Sequence, residues 1–97
     1  MATYISLMKL TDQGIKDIRN VPNRLELARK GVAAAGGTWI CCYMVTGEYD
    51  YVAIAEFPSD EAGAAFILAL GASGNLRTTT MRAFPEQDIS RIISLVP

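Results

Sequence analysis

Apolar positions along the chain change their period several times, and each change marks an element. Thr3 to Leu10, TYISLMKL, alternates around Ile5 and Leu7 and predicts a first strand. Thr11 to Pro22 is punctuated by Gly14 and Pro22 and predicts a loop with one helical turn. From Pro22 or Asn23 to about Ala35, Leu25, Ala28, Val32 and Ala35 recur on one helical face, and Gly36-Gly37 ends the run. Thr38 to Phe57 is dense in β-branched and aromatic residues around Gly47, which predicts a hairpin. Ser59 followed by Asp60 and Glu61 is a hydroxyl N-cap with two acids in the first turn. The helix it starts, through AGAAFILAL, is apolar nearly all round, with Phe66, Ala69 and Leu70 as its heaviest stripe, and Gly71 and Gly74 close it. Asn75 to Phe84 is a threonine-rich fourth strand. After Pro85 comes a short last helix with Ile89, Ile92, Ile93 and Val96 to bury.

The order is β-α-β-β-α-β plus a C-terminal helix, the ferredoxin-like arrangement of the α+β class. It predicts one domain over residues 1–97, with an antiparallel sheet in the order 4-1-3-2 and both long helices on one face. A two-residue type II′ loop, Gly47-Glu48, would pair Thr46 with Tyr49, Met44 with Tyr51, Cys42 with Ala53 and Ile40 with Ala55. One face of the hairpin then carries Trp39, Cys41, Tyr43, Val45, Val52 and Ile54. Its other face carries Ile40, Cys42, Met44, Tyr49, Tyr51, Ala53, Ala55 and Phe57. Neither is a water face. Matching the aliphatic sets directs Ile5, Leu7, Val45, Val52, Ile54 and Met81 toward the helices. The open face then collects Tyr4, Ser6, Met8, Met44, Tyr49, Tyr51, Ala53, Ala55, Thr78, Thr80 and Arg82. An apolar face left without cover on so small a domain predicts an interface, here a homodimer or larger homo-oligomer.

A hydrophobic content of 51% with a net charge of −1 describes a folded chain rather than a disordered tail. No apolar run approaches the roughly 20 residues of a membrane span, and the N-terminus has no signal-peptide pattern, so the expectation is a cytoplasmic protein with no membrane partner. Lys and Arg are absent from Gly31 to Leu76, where Glu48, Asp50, Glu56, Asp60 and Glu61 lie. With no dense basic stripe, nucleic-acid binding is not expected. Cys41 and Cys42 are adjacent on one strand, point to opposite faces and read as free thiols. The chain has no histidine, which removes the commonest general base and the commonest metal and haem ligand. No metal and no cofactor are expected.

Topology gathers polar residues at one edge of the sheet: Lys9, Asp12, Arg24, Glu48, Tyr49, Asp50, Asn75 and Arg77. Asp50 has an ordinary reading, in which it caps the first long helix or pairs with Arg24, and a functional one as a carboxylate base in a cleft. Tyr51, with Thr78, Thr80 and Arg82 on the open face, is the better group for touching a ligand, and its ordinary reading is interface packing. The candidate ligand-binding residues are therefore Arg24, Tyr49, Asp50, Tyr51, Arg77, Thr78, Thr80 and Arg82.

Three segments together resemble the GYD-domain family: Leu10 to Ile18 (LTDQGIKDI), the turn Gly47-Glu48-Tyr49-Asp50, and Gly74 to Phe84 (GNLRTTTMRAF). Here Glu48 splits the Gly-Tyr-Asp that names the family. The resemblance covers nearly the whole chain and implies a dimeric α/β-barrel, in which two open sheet faces close on each other. It implies no known activity. Two functions of different classes stay open. One is a small-molecule binding or stress-related module with a cleft between the sheets. The other is a cofactor-independent isomerase or monooxygenase using tyrosine, aspartate and arginine groups in the barrel.

Overall fold

A computed structural model describes all 97 residues. Strands β1 (Ala2–Leu10), β2 (Thr38–Met44), β3 (Tyr51–Phe57) and β4 (Leu76–Ala83) form one antiparallel sheet in the order β2-β3-β1-β4, the expected order read from its other edge. Four helices accompany it: α1 (Asp12–Lys16), α2 (Val21–Ala34), α3 (Asp60–Ala72) and α4 (Ile89–Ile93). The helical turn expected after the first strand is α1, capped by Thr11, whose hydroxyl accepts from the Gly14 amide at 3.1 Å. Helix α2 begins one residue earlier than Pro22 alone suggests, and places proline in its first turn, where its missing N–H costs nothing. Ser59 caps α3 by accepting from the Ala62 amide at 3.1 Å.

The hairpin keeps its expected register from Met44/Tyr51 to Cys42/Ala53 and departs from it at both ends. At the far end a bulge at Ile40 pairs Trp39, not Ile40, with Ala55. The extra residue swings Trp39 onto the face of Tyr51, Ala53 and Ala55, the opposite of its expected side. At the turn, the Val45 amide donates to the Asp50 carbonyl at 2.9 Å, so the loop is Thr46 to Tyr49 and no two-residue turn forms. Gly47 has φ +111°, a conformation that L side chains rarely adopt. The loop widens because its return arm is drawn toward β1. The Asp50 amide donates to the Met8 carbonyl at 2.8 Å, and Glu48 and Tyr49 both lie beside Lys9.

The two faces are the reverse of the expected assignment. Tyr4, Ser6, Met8, Tyr51, Ala53, Ala55 and Phe57 face the helices. Through strand pairing, Thr78, Thr80 and Arg82 share that side. The open face holds Ile5, Leu7, Val52, Ile54, Cys41, Tyr43 and Met81. Both sets are apolar, so alternation alone could not choose between them. Bulk decides. Phe57 is 2% exposed, stacked edge-on to Tyr4 with centroids 6.0 Å apart and tilted against Phe66 of α3 at 5.5 Å. These rings need a layer deep enough to hold them, which helices supply. The flatter aliphatic strip stays outside. Gly31 of α2 lets the Phe66 ring close in, since a Cβ there would stand 3.0 Å from it. Helices and sheet therefore meet firmly at the Phe57 end.

The C-terminal helix also differs from expectation. Ile89 and Ile93 of α4, with Leu95 and Val96 beyond it, are exposed rather than buried. The main neighbour of α4 is the 3-10 turn Glu86–Asp88 before it. This arm lengthens the molecule. The radius of gyration is 14.6 Å, against roughly 12.5 Å for a compact chain of this length.

Candidate functional site

Between the helix layer and the sheet runs a half-open cleft of about 640 Å³ that ends against Phe57. That is within the range of roughly 300–1,000 Å³ typical of small-molecule sites. Its floor is β1 and β3 and its walls are α2 and α3. The expected apolar stripe of α2, through Leu25, Ala28, Val32 and Ala35, lines it, as do Phe66, Ala69 and Leu70 of α3. The lining is graded along its length. Trp39, Phe57 and Phe66 lie toward one end, and Tyr51, Arg24 and Asn75 toward the other.

Tyr51 is 6% exposed, yet its hydroxyl makes no hydrogen bond within the chain and is not sealed from free space. Burial raises its pKa above that of an ordinary phenol. The Asp50 charge pushes the same way, and Arg24 partly offsets both. The phenol is therefore a neutral donor aimed into the cleft. Arg24 is fixed at the mouth: Nη1 meets Asp17 Oδ2 at 3.3 Å, and Nη2 donates to the carbonyls of Gly14 and Asp17 at 3.3 and 3.2 Å. Its planar fork is pre-organised by three acceptors, while its side chain is only 19% exposed. The buried Ser6 hydroxyl is satisfied by Thr80 Oγ1 at 3.0 Å.

The other candidates disperse. Asp50 neither caps α2 nor pairs with Arg24: its carboxylate accepts from the Leu10 amide at 2.8 Å and ties the hairpin to the end of β1. Tyr49 lies outside the cleft under the Lys9 ammonium, 5.4 Å from its ring centroid, beside the Lys9–Glu48 pair at 3.8 Å. Arg77 pairs across the sheet with Lys9, on the open face. Thr78 sits beside Met8 on β4. Arg82 is at the far end of the sheet, stacked on Phe84 at 4.4 Å, near Tyr4 and paired with Asp60 at 3.7 Å. Tyr4 donates to Asp60, and that bond holds its phenol above the usual range. Of the eight candidates, then, only Tyr51 and Arg24 share the cleft. Trp39, Phe57, Phe66 and Met8 line it too, and as plain apolar residues they carry no mark of a site in the sequence. The bulge that brings Trp39 inward leaves no mark in the alternation of Thr38 to Met44.

Asp50→Ala is expected to lower stability by about 1–3 kcal/mol, because the Leu10 amide loses its acceptor. Asp50→Asn, which keeps a side-chain oxygen there, should cost less. Thermal unfolding of the two variants checks the order. Equal melting temperatures for Asp50→Ala and wild type would remove Asp50 from the turn's support.

The GYD domain family matches residues 4–93. A Thermus thermophilus protein named glutamine synthetase and cystathionine beta-lyase binding protein is 30% identical over 90 residues, which covers 92% of this chain and 95% of the relative. A crystal structure of a Thermus thermophilus protein superposes with a TM-score of 0.54 at 26% identity, covering 87% of this chain and 94% of that one. No helix is long and apolar enough to cross a membrane.

Proposed function

The chain belongs to the GYD-domain family, and from that premise we propose that it is a non-catalytic binding module, a homodimer joined by its open sheet faces that docks on larger enzymes. The observation that carries this reading is the open face itself. Ile5, Leu7, Val52 and Ile54 form an aliphatic strip across the two central strands, flanked by Tyr43 at 65% exposure and Met81 at 44%. The exposed isoleucines of α4 support it, since an arm with so little cover from its own chain suits packing on a second subunit. Docking on enzymes is taken from the relative named for binding glutamine synthetase and cystathionine beta-lyase. The chemistry of the cleft favours binding over turnover. Asp50 is committed to a backbone amide and Arg24 to Asp17, so Tyr51 has no acid–base partner beside it.

Sedimentation velocity of the purified protein, alone and mixed with glutamine synthetase or cystathionine beta-lyase from its own source, tests the reading. A dimer at micromolar concentration is expected, with at least one of the two enzymes carrying it to a faster boundary. A monomer that moves independently of both enzymes would overturn it.

A further inference from the structure

The helix–sheet cleft lies on the opposite side of the sheet from the proposed subunit contact, and its lining makes a second, separate assignment. We infer that it is a binding site for an elongated apolar small molecule with a hydrogen-bond acceptor at one end, of the fatty-acyl or long-chain ketone class. Three observations carry the inference. The volume, about 640 Å³ in a half-open cleft, is enough to admit a small molecule. The polarity is one-ended in its available groups: aromatic side chains close the cleft at Phe57, the hydroxyls of Tyr4 and Ser6 are taken by Asp60 and Thr80, and Tyr51, Arg24 and Asn75 lie at the other end. The Tyr51 hydroxyl is a donor on a buried residue with no partner in the chain. The hydroxyl itself is reachable from free space, so an acceptor carried by a ligand can complete it in place of water.

The dimensions set the ligand's shape. From Tyr51 to Phe57 the floor runs about 20 Å, at roughly 3.3 Å per strand residue. Ala53 and Ala55 between them keep that floor low. A chain laid along it would place its tail against Phe57, Phe66 and Trp39 and its acceptor oxygen against the Tyr51 hydroxyl. Arg24, held rigidly at the same end, adds attraction for an anionic head. That attraction is moderated because Arg24 already shares its charge with Asp17.

Isothermal titration of the purified protein with decanoate and with 2-decanone tests this assignment. Both probes should bind saturably, one per chain, with decanoate the tighter because of Arg24. Tyr51→Phe, which removes only the hydroxyl, should weaken both at least tenfold. Ala53→Phe, which raises the floor with a ring, should abolish both, with a melting temperature no lower than wild type. Three results would each overturn the assignment: no saturable binding of either probe, affinities unchanged in Tyr51→Phe, or binding that survives in folded Ala53→Phe. Subunit association is read separately by sedimentation, so a protein that binds decanoate as a monomer would reject the proposed dimer and leave the cleft assignment standing.

Discussion

Ile54→Arg is expected to convert the proposed dimer into a monomer at micromolar concentration, while Ala53→Arg leaves that dimer intact. The two residues are neighbours on β3, yet they serve opposite faces. Ile54 pairs with Ile5 across β1 and with Cys41 across β2, at the middle of the open strip. Ala53 pairs with Ser6 and lines the cleft. A specific interface of ordinary size covers about 800 Å² on each partner. An aliphatic strip contributes about 25 cal/mol per Å² of apolar area, before the costs of association. An arginine at its centre would have to be buried without a counter-charge, since the acid on this face of β3, Glu56, lies at the end of the strand. The dissociation constant should rise at least a hundredfold, about 2.7 kcal/mol. Equal sedimentation of Ile54→Arg and wild type would show that subunits meet elsewhere, and the exposed isoleucines of α4 would then be the surface to change next.

That contrast between neighbouring residues also marks where the sequence stops being legible. Element order, sheet order and most of the hairpin register follow from alternation, from caps at Thr11 and Ser59 and from glycine stops, because those signals are local. Which face meets the helices is not local. Ile5/Leu7/Val52/Ile54 and Tyr4/Met8/Tyr51/Phe57 are equally good apolar stripes. The choice depends on how much depth the rings need once α3 brings Phe66 over the sheet. The bulge at Ile40 is a second non-local event, and it turns Trp39 inward. The candidate site divides in the same way. Arg24, legible as a polar residue at one edge of the sheet, and Tyr51, legible as a ligand-facing residue, do share the cleft, but Tyr51 does so on the helix side and not on the expected open face. Asp50, expected at the same edge, and Arg82, expected on the open face beside Tyr51, are each engaged by a neighbour outside the cleft, the Leu10 amide and Asp60 respectively. A carboxylate or guanidinium in a sequence does not reveal whether a backbone amide or an ion pair has already claimed it.

Phe57→Ala is expected to be the most damaging single truncation in the molecule. Phe57 is the largest fully buried side chain, and it packs on Phe66 of α3, whose ring lies in turn against Gly31 of α2. The helices also meet the edge strands, α3 at β4 and α2 at β2, but this aromatic cluster is the most deeply buried join between the helices and the sheet. Removing a buried phenylalanine costs about 3–5 kcal/mol, through lost transfer energy and the cavity left behind. Here that cavity would merge with the existing cleft and leave Tyr4 and Phe66 without their shared neighbour. A chain of this length has a total stability of roughly 5–15 kcal/mol. The loss should therefore lower the melting temperature by about 12–40 °C, taking roughly 4–8 °C per kcal/mol for a domain of this size. Hydrogen exchange separates this account from a uniform weakening. Amides of α2 and α3 should lose protection in Phe57→Ala well before those of β1 and β3, whose ladders do not depend on the ring. A fall of only a few degrees, with α2 and α3 as protected as in wild type, would mean that the helix layer is fastened by some other contact than Phe57.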